Sequence, residues 1–113
     1  MNSLLFIEDD DGIRVALTLA LEDEGYEVVE APDGRAGLAA FAEKEPDLVL
    51  LDLRLPDMSG FDVCRQLRSR SLVPIIIVTA QTDPYDLVAG LEAGADDFLS
   101  KPFSFVVLVA RLH

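Results

Sequence analysis

Short apolar runs recur about every twenty residues along this chain, separated by longer stretches of helical period, and this alternation most constrains its fold. Residues 4–7, 26–29, 48–51 and 74–78 read as strands, with a shorter fifth around 98–99. The first, third and fourth are apolar throughout, the pattern of parallel strands covered on both faces. The second is mixed and belongs nearer an edge. Between them, Ile13, Leu17, Ala20 and Leu21 mark the inward face of a helix over 13–21 that Gly25 stops. Asp33-Gly34 opens a second helix, through Leu38 and Phe41, which Pro46 forbids from continuing. Ser59 caps a third, with Phe61, Cys64 and Leu67 facing inward. Asp83 followed by Pro84 opens a fourth, closed by Gly94. A fifth starts near Ser104 and runs to the last residue, which points to a longer parent protein.

Strand–helix alternation with short connections predicts one α/β domain over residues 1–113. Its sheet is doubly wound and parallel, five-stranded in the flavodoxin-like order 2-1-3-4-5, with helices on both faces. Ligand chemistry in such a sheet belongs beyond the carboxyl ends of the strands.

Composition removes several function classes. Half of the residues are hydrophobic and 27% charged, which excludes intrinsic disorder. A single cysteine excludes a disulfide framework and a thiolate zinc site, and a single histidine at position 113 argues against a multi-histidine metal centre or a Ser-His-Asp triad. With 21 acidic against 9 basic residues the net charge is −12, which repels phosphate backbones, so this segment is not expected to bind nucleic acid by itself. No apolar run approaches the ~18 residues of a membrane span, and no signal peptide is recognisable. The expected setting is soluble and cytoplasmic.

The polar residues that interrupt this pattern stand at the expected carboxyl ends. Glu8-Asp9-Asp10-Asp11 follow the first strand, Asp52 the third, Thr79-Ala80 end the fourth, and Lys101-Pro102 follow the fifth. Strands one, three and four are neighbours in this topology, so these groups converge. Carboxylates that close destabilise one another unless a cation sits among them, and hard oxygen donors suit Mg²⁺ rather than Zn²⁺. A carboxylate, a divalent cation, a hydroxyl and an ammonium together can stabilise a phosphoryl group in transfer. Asp52, isolated behind four apolar residues, is the candidate nucleophile that would form an aspartyl phosphate. Taken singly, each residue has an ordinary reading. Asp10 and Asp11 are solvated surface, with Asp11 capping the first helix. Asp52 alone is a turn residue, Thr79 a strand-end hydroxyl and Lys101 surface. Cys64 is core, Arg65, Arg68 and Arg70 form a solvated basic cluster, and His113 has no role.

Residues 5–10 (LFIEDD), 46–60 (PDLVLLDLRLPDMSG), 74–80 (PIIIVTA) and 94–103 (GADDFLSKPF) resemble response-regulator receiver domains, in order, with family spacing and over nearly the whole chain. The GADDF stretch and Ala110-Arg111 are most similar to the OmpR/PhoB subclass of transcription regulators. The resemblance implies that Asp52 accepts a phosphoryl group from a sensor histidine kinase. Glu8 and Asp9 would hold Mg²⁺, Asp9 directly and Glu8 through water, with Asp52 and the backbone carbonyl of Arg54 completing the protein ligands. Thr79 would bond one phosphoryl oxygen and Lys101 another. Phe98 takes the place of an aromatic switch that turns inward as Thr79 moves, and the Lys101–Pro102 bond would be cis. The chain would thus be a regulatory phosphoacceptor that assists its own phosphorylation and dephosphorylation rather than an enzyme. Phosphorylation would promote a homodimer through the fourth helix, fifth strand and fifth helix, and DNA would be bound by an effector domain absent from this chain.

Two departures from the family pattern carry expectations. The switch position is commonly Tyr, and Phe98 has no hydroxyl to bond outside, which favours its inward state. Leu87 and Val107 replace a basic and an acidic residue of the usual dimer face, while Asp97 and Arg111 keep one ion pair. An apolar dimer contact is therefore expected, with Leu87, Val106 and Val107 partly exposed in the monomer. Among rivals, a haloacid-dehalogenase-type phosphatase needs an aspartate two residues after the nucleophile, where this chain has Arg54. A flavodoxin needs a Ser/Thr-rich phosphate loop where this chain has carboxylates, and a purely scaffolding receiver has no need of a complete acidic pocket.

Overall fold

The computed structural model describes residues 2–80, 84–101 and 105–112, with the side chains of 105–107 and 112 outside the description. Strands β1 (Ser3–Ile7), β2 (Glu27–Ala31), β3 (Leu48–Leu51), β4 (Ile75–Thr79) and β5 (Asp97–Ser100) alternate with helices α1 (Asp11–Asp23), α2 (Gly34–Glu43), α3 (Gly60–Arg68), α4 (Pro84–Glu92) and α5 (Phe105–Leu112). The strands form one parallel sheet in the order β2-β1-β3-β4-β5, as the alternation predicts, with the mixed β2 at an edge.

The continuous apolar strands serve two cores at once, because successive side chains point to opposite faces of a sheet. Leu5, Ile7, Val49, Leu51, Ile75 and Ile77 face one way and pack with Phe41 of α2 and Val63, Cys64 and Leu67 of α3. Leu4, Phe6, Leu50, Ile76 and Val78 face the other way and pack with Leu21 of α1 and Leu108 of α5. Each fully buried Leu or Ile contributes roughly 1.5–3 kcal/mol, so the sheet is a rigid base for whatever stands at its ends.

Caps set the helix limits. Asp33 accepts from the Ala36 N–H at 2.7 Å and Ser59 from the Phe61 N–H at 3.2 Å, both as the sequence predicts. Gly25 and Gly94 close their helices at φ +96° and +112°, the left-handed region open to glycine. At α1 the expectation is corrected. Asp10, not Asp11, is the cap, accepting from the Ile13 N–H at 2.9 Å, while Asp11 begins the helix and pairs with Arg14. The longer helix buries Thr18 and Leu21, and Ile13 faces outward at 38% exposure. Asp83, Pro102, Phe103, Ser104 and His113 lie outside the described residues, and with them the expected fourth cap, the cis bond and the start of the fifth helix.

Arg68 is a second correction. It is not part of a solvated cluster. Its guanidinium donates to the carbonyls of Val73 at 2.8 Å, Ser71 at 3.2 Å and Gly94 at 2.8 and 2.9 Å, and to Asp96 Oδ2 at 2.9 Å. Those oxygens cluster because the end of α3 meets the turn between α4 and β5, and a fork of five donors satisfies them all. Arg65 pairs instead with Asp62 on its own helix, as a solvated residue would.

Candidate functional site

Backbone bonds beyond the strand ends fix the site. The Glu8 N–H donates to the Ala31 carbonyl at 3.0 Å, the Asp52 N–H to Ile7 at 3.0 Å, and the Lys101 N–H to Thr79 at 2.7 Å. The sheet ladder thus extends one residue past β1, β3 and β5, and it places four side chains at one edge. Glu8 and Asp52 are 1% and 5% exposed, and Thr79 is fully buried at the end of β4. Glu8, Asp9 and Asp52 each bring an oxygen to a common point, all within 4.8 Å of one another.

Lys101 closes the cluster. Its Nζ donates to Glu8 Oε1 and, at 3.2 Å, to Asp52 Oδ2. The Arg54 N–H donates to Asp52 Oδ1 at 3.1 Å, and the Thr79 hydroxyl bonds the same carboxylate. Burial pushes Glu8 up to about 7, with Asp52 raising it further and Lys101 only partly opposing. For Asp52 burial acts upward too. Bonds from Glu8 and the Arg54 N–H, the charge of Lys101 and the Thr79 hydroxyl outweigh it, so its carboxyl lies below the usual range. Lys101 is the mirror image. Burial lowers it, and its bond to Glu8 and the charge of Asp52 raise it above an ordinary lysine.

Two buried carboxylates therefore share one ammonium. The donor set, three carboxylate oxygens of which Asp9 is open to solvent, suits a hard divalent cation that keeps some of its water. A softer metal would find no sulfur or imidazole donor among these three residues.

A second region adjoins the pocket. Phe98, half-buried on β5, pairs with Ile77 of β4 in the sheet register. Gly90 of α4 lies over both: a Cβ there would come within 2.9 Å of Ile77 and 3.4 Å of Phe98. Leu87 is 41% exposed, and Tyr85, Val88 and Leu91 extend this exposed apolar surface of α4. Asp97 and Arg111, expected as an ion pair of the dimer face, meet at 2.5 Å within this one chain. The side chains of Val106 and Val107 lie outside the described residues.

The family model for the response regulator receiver domain matches residues 4–113. The chain belongs to that family. Among relatives, the receiver domain is 51% identical over 110 residues to the transcriptional regulatory protein CseB of Streptomyces avermitilis, covering 97% of this chain and 47% of CseB. It is 50% identical over 113 residues to the sensory transduction protein RegX3 of Mycobacterium tuberculosis, covering all of this chain and half of RegX3. The chain thus spans about half the length of the curated relatives it matches. Among solved structures, it resembles the BeF3-activated N-terminal receiver domain of Klebsiella pneumoniae RstA, with TM-score 0.95 and 35% identity over 98% of this chain and 95% of that one. The CheY-like receiver domain of Methanospirillum hungatei gives TM-score 0.94 at 32% identity, covering 99% and 90%. These relatives carry the same receiver fold, and the regulators among them are of the OmpR/PhoB type.

Two anchors near the site are not evident from sequence pattern. Arg14 on α1 donates to the Glu8 carbonyl at 2.7 Å and reaches Glu30 at 3.4 Å, bracing the backbone that carries the acidic pair. Asp57 bonds the start of α2 across the chain. The one signal for Arg14 is a lone basic residue inside an acidic helix start. Asp57 has none, because its partners lie 22 and 23 residues away.

Proposed function

We propose that this receiver domain accepts a phosphoryl group on Asp52 from the phosphohistidine of a sensor histidine kinase. What supports this is the pair of buried carboxylates, Glu8 and Asp52, held at neighbouring strand ends against one ammonium. Strand ends position a nucleophile without side-chain search, and the Arg54 N–H bond leaves Asp52 ionised and oriented. In the transfer an Asp52 carboxylate oxygen attacks phosphorus. The P–N bond to the imidazole breaks, and its electron pair stays on that nitrogen. Lys101 and Thr79 stand where two of the three equatorial oxygens come to lie, one countering charge and the other donating a hydrogen bond.

Glu8, Asp9, Asp52 and the backbone carbonyl of Arg54 would hold Mg²⁺. When bound, the ion supplies neutralisation of the phosphoryl oxygens that carboxylates alone would repel. The same groups orient water for the slower return to free Asp52, so the domain assists its own dephosphorylation.

The switch lies next to the pocket. Thr79, drawn to the modified Asp52, leaves space into which Phe98 turns, and the α4–β5–α5 face then changes. Leu87, Asp97, Val107 and Arg111 would line a homodimer contact there. The relatives' names, transcriptional regulatory protein and DNA-binding response regulator, favour transcription as the output, through a DNA-binding domain in a cytoplasmic protein.

Intact mass after exposure to a small acyl phosphate, with and without Mg²⁺, tests the reading. A single Mg²⁺-dependent phosphoryl adduct is expected, and Asp52→Asn abolishes it. An adduct that survives in Asp52→Asn refutes the assignment.

A further inference from the structure

We propose that Asp57 is a positioning residue: its carboxylate fastens the loop that carries Arg54 onto the first turn of α2 and so presets the cation site beside Asp52. The inference deepens the reading of Asp52 as a phosphoacceptor with a divalent ion next to it, and it rests on that reading.

The loop between β3 and α3 is closed at its base. The Gly60 N–H donates to the Leu53 carbonyl at 2.9 Å, and Arg54 and Ser59 form an isolated antiparallel bridge. Position 60 admits no side chain, since a Cβ would lie 2.5 Å from the Asp52 carbonyl oxygen and from Leu53 Cα, both backbone. The tip is fastened elsewhere. Asp57 Oδ1 accepts from the Gly34 N–H at 2.8 Å and Oδ2 from the Arg35 N–H at 2.9 Å. Met58 fills the space over Gly34, where a Cβ would meet its Cγ at 2.4 Å.

Asp57 is not needed to start α2, because Asp33 already caps it through the Ala36 N–H. Its two bonds instead take up donors that the first turn of a helix leaves free. They are charge-assisted and sit at the positive end of the helix dipole. Held below the usual carboxylate range by the N–H groups of Arg35 and Gly34, which outweigh its desolvation, Asp57 stays ionised at neutral pH. The bridge to Ser59 holds Arg54 at the base and the Asp57 bonds hold the tip three residues on, so the Arg54 peptide has little freedom. Its N–H is already on Asp52 Oδ1, and its carbonyl is the proposed fourth protein ligand. Released at the tip, the loop would have to be ordered by the ion itself, and affinity would fall by that ordering free energy.

The test is the Mn²⁺ dissociation constant, read from the free-ion paramagnetic resonance signal, for wild type, Asp57→Ala and Asp57→Asn. Thermal melts establish that each is folded. Loss of groups that support metal ligands typically weakens binding 10–100-fold, so Asp57→Ala is expected to raise the constant about tenfold. Asp57→Asn, whose amide keeps one acceptor oxygen, falls between. Phosphorylation by a small acyl phosphate should need correspondingly more Mg²⁺ in Asp57→Ala yet reach the wild-type rate at saturation. An unchanged Mn²⁺ constant in folded Asp57→Ala overturns the inference alone, whatever its melting temperature. A rate that stays depressed at saturating Mg²⁺ overturns it as well. Wild type that binds no Mn²⁺ overturns both this inference and the phosphoacceptor reading.

Discussion

Replacing Glu8 with Gln in metal-free buffer should stabilise the domain at neutral pH, although it removes a candidate metal ligand. Glu8 is 1% exposed, and its carboxyl moves from an ordinary 4.5 to about 7, first through burial and then through Asp52. Between those pH values the folded state holds a proton that the unfolded state has lost. Stability therefore falls as pH rises through that window and is level above it. At about 1.4 kcal/mol per tenfold change in proton affinity, the gap corresponds to roughly 3 kcal/mol. Lys101 and Asp52 shift in the compensating direction, so roughly 1–2 kcal/mol is the expected gain, or roughly 4–8 °C in Tm for a domain of this size. Thermal melts of both proteins in a chelator should coincide near pH 4.5 and separate progressively up to about pH 7, with Glu8→Gln the higher. Mg²⁺ should then oppose that order, since an ion at a hundred times its Kd adds about 2.7 kcal/mol to wild type and less to the variant. A difference that does not depend on pH, or a wild type that melts higher at pH 8 without metal, refutes the account of a crowded carboxylate pair.

Three further perturbations read other parts of the structure. Arg68→Ala strands the carbonyls of Val73 and Gly94, and the urea midpoint should fall by the equivalent of about 2–3 kcal/mol without a change of slope; a loss below about 0.5 kcal/mol contradicts the clasp. Gly60→Ala, which meets backbone at 2.5 Å, should destabilise more than Gly37→Ala, which meets side-chain atoms of the buried Ile7 at 2.4 and 2.8 Å but no backbone, and the difference should be about 1 kcal/mol or more in paired denaturation curves. Cys64 is fully buried, and burial pushes its thiol up, so a thiol reagent should label the native protein no faster than it unfolds.

The strand order and several helix limits follow from patterns contained within a few residues: four apolar side chains in a row, a capping Ser59 or Asp33, a Gly94 beyond a helix. Where limits are misread, neighbouring residues compete for one role. Asp10 and Asp11 are both competent caps, and which of them ends in extended backbone is settled by where β1 releases the chain. Taking Asp10 as the cap turns Ile13 outward, so an apolar residue at helical spacing is not core here. Arg68 and Asp57 show the larger gap. Both bond acceptors or donors more than twenty residues away, and both sit in stretches whose composition reads as solvent-facing.

The acidic cluster escapes that gap for a physical reason. A side chain one residue past a buried parallel strand has its place set by the ladder of the next strand, as Asp52 is by Ile7 and Glu8 by Ala31. Sheet topology alone therefore predicts that Glu8, Asp52, Thr79 and Lys101 share an edge, and no side-chain packing has to be solved first. The exposed apolar surface of α4 has no such frame. Leu87, Val88 and Leu91 lie on α4, whose buried residue is Gly90, seated over Ile77 and Phe98. A helix seated on a glycine lies close against the sheet, so any change at Ile77 or Phe98 is met directly by the α4 backbone. The acidic cluster is thus built where the backbone is most constrained, and Phe98, which lies beneath Gly90 and pairs with Ile77 on the strand that ends in Thr79, is the residue through which a proposed switch between that cluster and α4 would pass.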